Sequence, residues 1–442
     1  MTKLIIIYLV LFESTVSASA QERHLVLKVD SLFSLAERNS KQLDITRHKI
    51  GMAENTTAIE QQKAYLPEAG ASLSYGYMSN AHVWDNHFNF ESTVKMPHIS
   101  TNLSVEAGYT VFNGSASQNR IAKAKLEEQI AQLDFQKDKE DIQFLLLAKY
   151  LDLFALHNQE NVYQQNITLA DKRLSNIGKL IEQGMLTHND RVRSELQLTD
   201  FKQKLDEVRN NITIVNHDLN TVLGLPQETI IEADTLLYSK SLKTEDADKY
   251  SEGFAARIPE LKIADVKNQL AEKQVNIAKA IRLPSVSLYA GDMLSRPFLY
   301  SLPPVDIYMH LFQVGLRASY DIGSLYKSKK VIQQAKMQEE LSHKNAEWLA
   351  QKTEMDIHAA YVKLQDAQQK YASQQESYRL AQDNYRVVEQ KYLNKFVTIT
   401  DMLDASTSLL AAQINMNNAR IGIIYQYYHL LKTAGLWEDA NN

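Results

Sequence analysis

The sequence predicts a mixed α/β membrane protein in which short transmembrane β-strands alternate with very long helices. Three observations predict it. The two halves of the chain repeat each other, the spacing of apolar residues switches between two and three-to-four, and stretches of about 60 to 70 residues lack glycine and proline. A chain of 442 residues ordinarily divides into two or three globular domains. With only 14 glycines and 8 prolines this one has too few chain breakers for that, so extended geometry is expected. The formal charge is −5 and basic residues are interspersed with acidic ones, so no basic stripe points to nucleic acid.

Residues 1–20 read as an export signal. Lys3 supplies the charged start, residues 4–12 the apolar run and Ala18-Ser19-Ala20 the small-residue cleavage site, so the mature chain is expected to begin at Gln21. Beyond that segment no apolar stretch approaches the roughly 20 residues of a transmembrane helix, so any membrane crossing must be made by strands. The absence of cysteine excludes disulfides, thiolate metal sites, cysteine nucleophiles and a lipid anchor on cysteine.

The repeat is traced by ordered landmarks. Leu66-Pro67 returns as Leu283-Pro284, Tyr109 to Ser115 as Tyr320 to Ser324, Thr187 to Asp190 as Thr398 to Asp401, and Leu223-Gly224-Leu225 as Ala434-Gly435-Leu436. The offset stays between about 209 and 218 residues, which is the mark of a duplication. The first repeat is assigned to residues 21–225, a connection to 226–249, the second repeat to 250–437 and a tail to 438–442.

Each repeat carries two strands. Leu103, Val105, Ala107, Tyr109 and Val111 alternate with polar residues, as do Phe312, Val314, Leu316, Ala318, Tyr320 and Ile322. Shorter partners precede them, with Ala71, Leu73, Tyr75 and Tyr77 in one repeat and Val286, Leu288 and Ala290 in the other. The expected spans are about 70–78, 102–112, 285–292 and 312–322. Their length and aromatic content suit outer-membrane strands. Four strands cannot close a barrel and lipid does not tolerate an open edge, so several chains must share one wall, and a trimer would give twelve strands. On this reading Ala71, Leu73, Val105, Tyr109, Val314 and Leu316 face lipid, whereas Glu106 and Arg317 face the lumen. The segments joining each pair, about 78–100 and 293–311, are expected as polar outer loops. The histidines there (His82, His87, His98, His310) match no ligand spacing, so no metal site is assigned.

Helix accounts for the rest. Residues 115–177 and 324–395 are free of glycine and proline and rich in Ala, Leu, Gln, Glu and Lys. Leu198, Phe201, Leu205, Val208, Ile212, Val215, Leu219 and Val222 form a coiled-coil seam, and Ile414, Ile421, Ile424, Tyr428 and Leu431 form its counterpart. Shorter helices are expected over about 31–64 and 250–281.

The order helix, Leu-Pro, strand, loop, strand, Gly-Ser, long helix, Gly-x-x-Thr-x-x-Asp, helix, duplicated in one exported chain, resembles the TolC family of outer membrane efflux proteins over nearly the whole mature chain. The resemblance implies a homotrimer whose 12-stranded β-barrel in the outer membrane is continuous with a long periplasmic α-helical barrel. It places the 226–249 connection near the tunnel midsection. It also implies a passive conduit without cofactors, served by a periplasmic adaptor (membrane fusion) protein and an inner-membrane transporter. Gly184, Thr187 and Asp190 match the family's hairpin-tip motif, where adaptors dock. In the second repeat Lys395 stands where the glycine is common, Thr398 and Asp401 are kept, and Val397 replaces a frequent arginine. Read locally, Thr187 and Thr398 cap the helices that follow them, with Asp190 and Asp401 completing capping boxes. Asp401 and Asp404 share one helix face and resemble the family's entrance aspartates, which implies a ring of carboxylates at the periplasmic mouth.

No catalytic constellation is present, neither a nucleophile elbow nor a phosphate-cradling glycine loop. The competing reading, a non-pore coiled-coil scaffold of the periplasm, accounts for the helices but leaves the export signal and strands unexplained.

Overall fold

The structure, a computed structural model, describes residues 23–234, 245–301 and 303–437. The export segment expected at 1–20, part of the 226–249 connection and the 438–442 tail lie outside the described residues. In chain order the elements are β1 (Arg23–Leu27), α1 (Val29–Asn39), α2 (Lys41–Tyr65), β2 (Glu68–Tyr77), β3 (Ala81–Trp84), β4 (Phe90–Val94), β5 (Ile99–Phe112), α3 (Ala116–Glu182), α4 (His188–Leu223) and β6 (Thr229–Ala233). They continue with α5 (Ala247–Ser251), α6 (Phe254–Arg257), α7 (Pro259–Ala280), β7 (Ser285–Arg296), β8 (Met309–Ser319), α8 (Ser324–Leu393) and α9 (Ile399–Thr433). At 1.5 Å per residue, α3 and α8 are each roughly 100 Å long. No described helix is apolar enough over its length to cross a membrane.

The chain forms two compact units, and α3 and α8 contribute residues to both. The first unit comprises the described parts of Met1–Lys41, Lys139–Tyr250 and Ile357–Asn442. Its core joins Leu146, Leu147, Tyr150 and Leu153 of α3 to Leu219 and Leu223 of α4, Ile421, Ile424 and Tyr428 of α9, and Trp437. The seam expected on α4 is buried at Leu198, Phe201, Leu205, Val208 and Leu219. A feature with no periodicity signal completes the unit: β1 and β6 pair in parallel, Leu25 opposite Ile231. Tyr150 fastens this pair, its hydroxyl donating to the Leu27 carbonyl at 2.7 Å and accepting from the Asp234 N–H at 2.6 Å. Burial pushes that phenol up to about 12.

The second unit, Gln42–Asp138 with Ser251–Asp356, holds an antiparallel four-stranded sheet in the order β2-β5-β7-β8. Pairing sets Leu73 against Leu103, Leu103 against Leu294, and Leu288 against both Tyr109 and Leu316. Opposed residues in a ladder share a face, so all six residues expected to face lipid lie on one side and Glu106 and Arg317 on the other.

Three expectations are corrected. The helix expected over 31–64 is two helices, because Ser40 is extended (ψ 118) and ends α1. The helix expected over 250–281 is broken into α5, α6 and α7: Gly253 takes a left-handed conformation (φ +66) between α5 and α6, and Pro259 drives Ile258 to an extended conformation and then takes the first position of α7, where its missing N–H costs nothing. The outer connections are also shorter and more ordered than expected. The first contains the β3–β4 hairpin, and in the second the ladder continues to Ser295 opposite Met309, beyond the expected ends at 292 and 312. A bidentate pair from Arg296 to Asp306, at 2.7 and 2.9 Å, closes that second connection.

Candidate functional site

Two surfaces carry the residues singled out in the sequence: the polar face of the sheet and the helix hairpin tips.

On the polar face glycines alternate with long side chains across the ladder. Glu68 lies in register with Gly108, Tyr289 and Gly315, and one step along Gly70 lies in register with Glu106, Gly291 and Gln313. A Cβ at Gly315 would sit 3.0 Å from the Tyr289 ring, so only glycine lets that ring lie flat on β8. The Arg317 guanidinium then stacks over the ring, 4.9 Å from its centroid. Sequence reading identified Glu106 and Arg317 but not Tyr289, whose role depends on a glycine of the neighbouring strand. The opposite face is apolar except near its loop end, where His310 Nε2 meets Asp292 Oδ1 at 2.5 Å.

The tips lie in the first unit. After α3, Gly184 takes a left-handed conformation (φ +69) and its N–H donates to the Ile181 carbonyl, while the Met185 N–H reaches Leu180, which closes the last turn. Thr187 caps α4: its N–H and hydroxyl donate to Asp190 Oδ2 at 2.8 and 2.7 Å, and the hydroxyl accepts from the Asp190 N–H at 3.4 Å. The second tip has the same construction. Lys395 is left-handed (φ +65), its N–H donates to Tyr392 and that of Phe396 to Lys391. Thr398 and Asp401 form the second capping box at 2.9, 2.6 and 3.3 Å. These donors hold the Asp401 carboxyl below the usual carboxylate range, Thr398 being the main cause. The cap is therefore intact above that range and lost as the pH falls through the lowered value.

Lys395 holds a conformation that costs a side-chain-bearing residue about 1 kcal/mol. Lys395→Gly should therefore steady the second tip by about that amount, slowing amide exchange at residues 394–397 while the rest of the chain is unchanged.

The residue after each left-handed position is apolar and exposed, Met185 at one tip and Phe396 at the other. The sequence signal for them was their place directly after the turn residue. A network with no sequence signal laces the four helices above the tips. Arg173 of α3 donates to Gln197 of α4 at 3.0 Å, and to Tyr385 of α8 and Ser406 of α9 at 3.3 Å each. Gln197 donates onward to Leu403 and Thr407, and Arg193 to the Thr400 hydroxyl. Burial raises the Tyr385 phenol, so it stays protonated and can both accept from Arg173 and donate to Glu389. Asp401 and Asp404 are both exposed one turn from this network, but they are not equivalent. Asp401 is committed to its cap, and Asp404 has no ion-pair partner among the described residues.

Residues 253–434 match the family model described as outer membrane efflux protein. Among solved structures, the chain is similar to CusC, crystallised to follow folding and transmembrane channel formation, with a TM-score of 0.76, 15% identity, and coverage of 93% of this chain and 92% of that one. It is similar to the outer membrane protein VceC from Vibrio cholerae, at 0.74 and 14% identity over 91% of this chain and 96% of that one. It is also similar to the CmeC outer membrane channel of Campylobacter jejuni, at 0.72 and 15% identity over 92% and 86%. No curated protein sequence matches the chain. At such identities the structural likeness is one of fold.

Proposed function

We propose that this chain, which has the fold of the TolC-like outer membrane efflux proteins, is the outer membrane channel of a tripartite efflux system, a passive conduit and not an enzyme. The observation that carries this reading is the sheet of the second unit. It has one apolar and one polar face, and among the described residues neither edge strand has an outer partner, an open edge that lipid does not tolerate. Three copies pairing β8 to β2 close twelve strands into a barrel with the apolar face to lipid and Glu106 and Arg317 in the lumen. The helices extend into the periplasm, where the tips at Gly184, Thr187 and Asp190 and at Lys395 and Thr398 dock a periplasmic adaptor that joins the channel to an inner-membrane transporter. Purified outer membranes should yield a heat-modifiable trimer that gives stepwise conductance in planar bilayers. Recovery of a soluble periplasmic rod without conductance would instead establish a scaffold.

In this channel Asp404 of the three copies, with Asp401 beside it, forms an acidic ring at the periplasmic mouth, which attracts cations. The bland role of these residues is to complement the dipole of α9, worth roughly 0.3 to 1 kcal/mol. Because Asp401 is tied to Thr398 and Asp404 is not, Asp404→Ala tests the ring without dissolving the cap. It should weaken cation selectivity and block by multivalent cations, and Asp401→Asn added to it should weaken both further. Unchanged recordings from assembled channels would leave only the dipole role.

A further inference from the structure

A groove in the first unit lies apart from the tips and from the sheet. It runs between α3, α4 and α9 with a volume of about 700 Å³, the size of a small-molecule site. Most of its lining is apolar, Leu151 and Leu156 of α3 included, and Ile214 of α4 is left 58% exposed. Among the described residues that line it Asp152 alone carries a charge, and it has no hydrogen-bond or ion-pair partner among the described residues. The nearby cation, Lys149, is committed to Asp218 of α4 at 2.7 Å. Partial burial pushes the Asp152 carboxyl above the usual carboxylate range, and Lys149 offsets this only in part. A carboxylate among apolar side chains without a counter-ion is stabilised by a cation that reaches it. At Gly422 of α9, which also lines the groove, the chain keeps a glycine inside a helix, although glycine weakens a helix and a Cβ there would meet no atom within 4 Å. No neighbour demands that glycine, and its effect is to leave the groove open.

The faces of α3 decide where the groove opens. Ala148, Asp152, Ala155 and Gln159 line it, and their spacing of four, three and four puts them on one face. Tyr150, two residues before Asp152, lies about 160° away round the helix and fastens the β1–β6 pair on the other side. Helix α1 packs into the same core as Tyr150 through Leu32, Phe33 and Ala36. In a tunnel walled by these helices, a strand pair and α1 packed on the inner side would obstruct the passage. The Tyr150 side is therefore the outer one, and the groove opens to the lumen.

We propose that this groove is a binding site in the tunnel wall for aromatic monocations, held by the Asp152 carboxylate through charge, by the Tyr425 ring through its π face, and by Leu151, Leu156 and Ile214 through apolar contact. The inference rests on the channel reading and adds to it the class of compound that dwells in the passage. Neutral compounds of the same shape gain the apolar contacts but not the charge, so Asp152 sets the preference.

Ethidium, a planar aromatic monocation, is titrated by fluorescence against the purified protein in lipid nanodiscs. It should bind the wild type saturably, with one site per chain. Asp152→Asn should weaken that binding roughly tenfold or more, through loss of the charge alone. Gly422→Phe, whose added ring takes up the open space, should abolish it. N-phenylnaphthylamine, an aromatic probe without charge, should bind Asp152→Asn as it binds the wild type. In planar bilayers ethidium should cause brief closures of wild-type channels and none in Asp152→Asn. Ethidium binding that is unchanged in both variants, or absent from the wild type, would overturn the site. Binding through Asp152 without any closures would put the groove outside the passage and overturn its luminal role. A wild-type protein that forms no conducting trimer would instead remove the channel reading, which the titration measures independently of.

Discussion

Val314→Arg should keep the protein from assembling in the outer membrane. Val314 is at the centre of β8, in register with Ala290, Ala107 and Ala69, on the face that also carries Leu73, Leu288 and Leu316. An arginine on the lipid face of a barrel costs about 2 to 4 kcal/mol at midplane and about 0 to 1 near the interfaces. Three copies multiply it, to roughly 6 to 12 kcal/mol per trimer at the centre, comparable with the whole stability of a domain. Leu316→Arg, two residues nearer the end of the strand, should lower trimer yield less. Arg317→Leu removes the cation stacked on Tyr289 from the opposite face and should leave assembly intact, changing only the ion selectivity of the pore. Heat-modifiable trimers in outer-membrane fractions provide the measurement. If Val314→Arg and Leu316→Arg assembled normally while Arg317→Leu did not, the faces would be assigned the wrong way round.

Gly184→Trp and Lys395→Glu should each abolish efflux and leave trimers in the membrane. A Cβ on Gly184 meets no atom within 4 Å, so a side chain has room to start there without displacing a neighbour. The residue's left-handed conformation adds a strain of about 1 to 2 kcal/mol, confined to a turn. Such a cost cannot undo a coiled coil buried along Leu198, Phe201 and Leu205, so loss of function would reflect a blocked surface. Lys395→Glu reverses a charge beside exposed Phe396 and keeps the backbone strain as it is. Susceptibility assays run beside trimer gels separate the possibilities. Loss of trimers in either variant would show that the tips serve folding and not docking.

The elements legible in the sequence were those held by short-range rules. Alternation over Leu103 to Val111 and over Phe312 to Ala318 marked the long strands, because the side-chain period of a strand is fixed by its backbone, although the second run was read on to Ile322, three residues past the end of β8. The capping boxes at Thr187 and Thr398 could be read because cap and partner are three residues apart. Where local signals competed the reading failed: Ser40 divided one expected helix, and Gly253 and Pro259 divided the other. The β1–β6 pair could not be read, since two five-residue strands separated by some 200 residues carry no period of their own. The Arg173 network was also invisible, because its four partners come from four helices and polar residues on long helices ordinarily face solvent.

By itself, then, the sequence determined the four strands of the main sheet, the long helices, the capping boxes at the tips and which face of each of those strands is apolar, since each follows from residues within a few positions of one another. Only the tertiary structure decided that Tyr289 lies on Gly315 and carries Arg317, and that Asp401 is held by its cap while Asp404 has no ion-pair partner among the described residues. Those relations depend on which distant segments pair and in what register, and that is fixed by the packing of the whole chain.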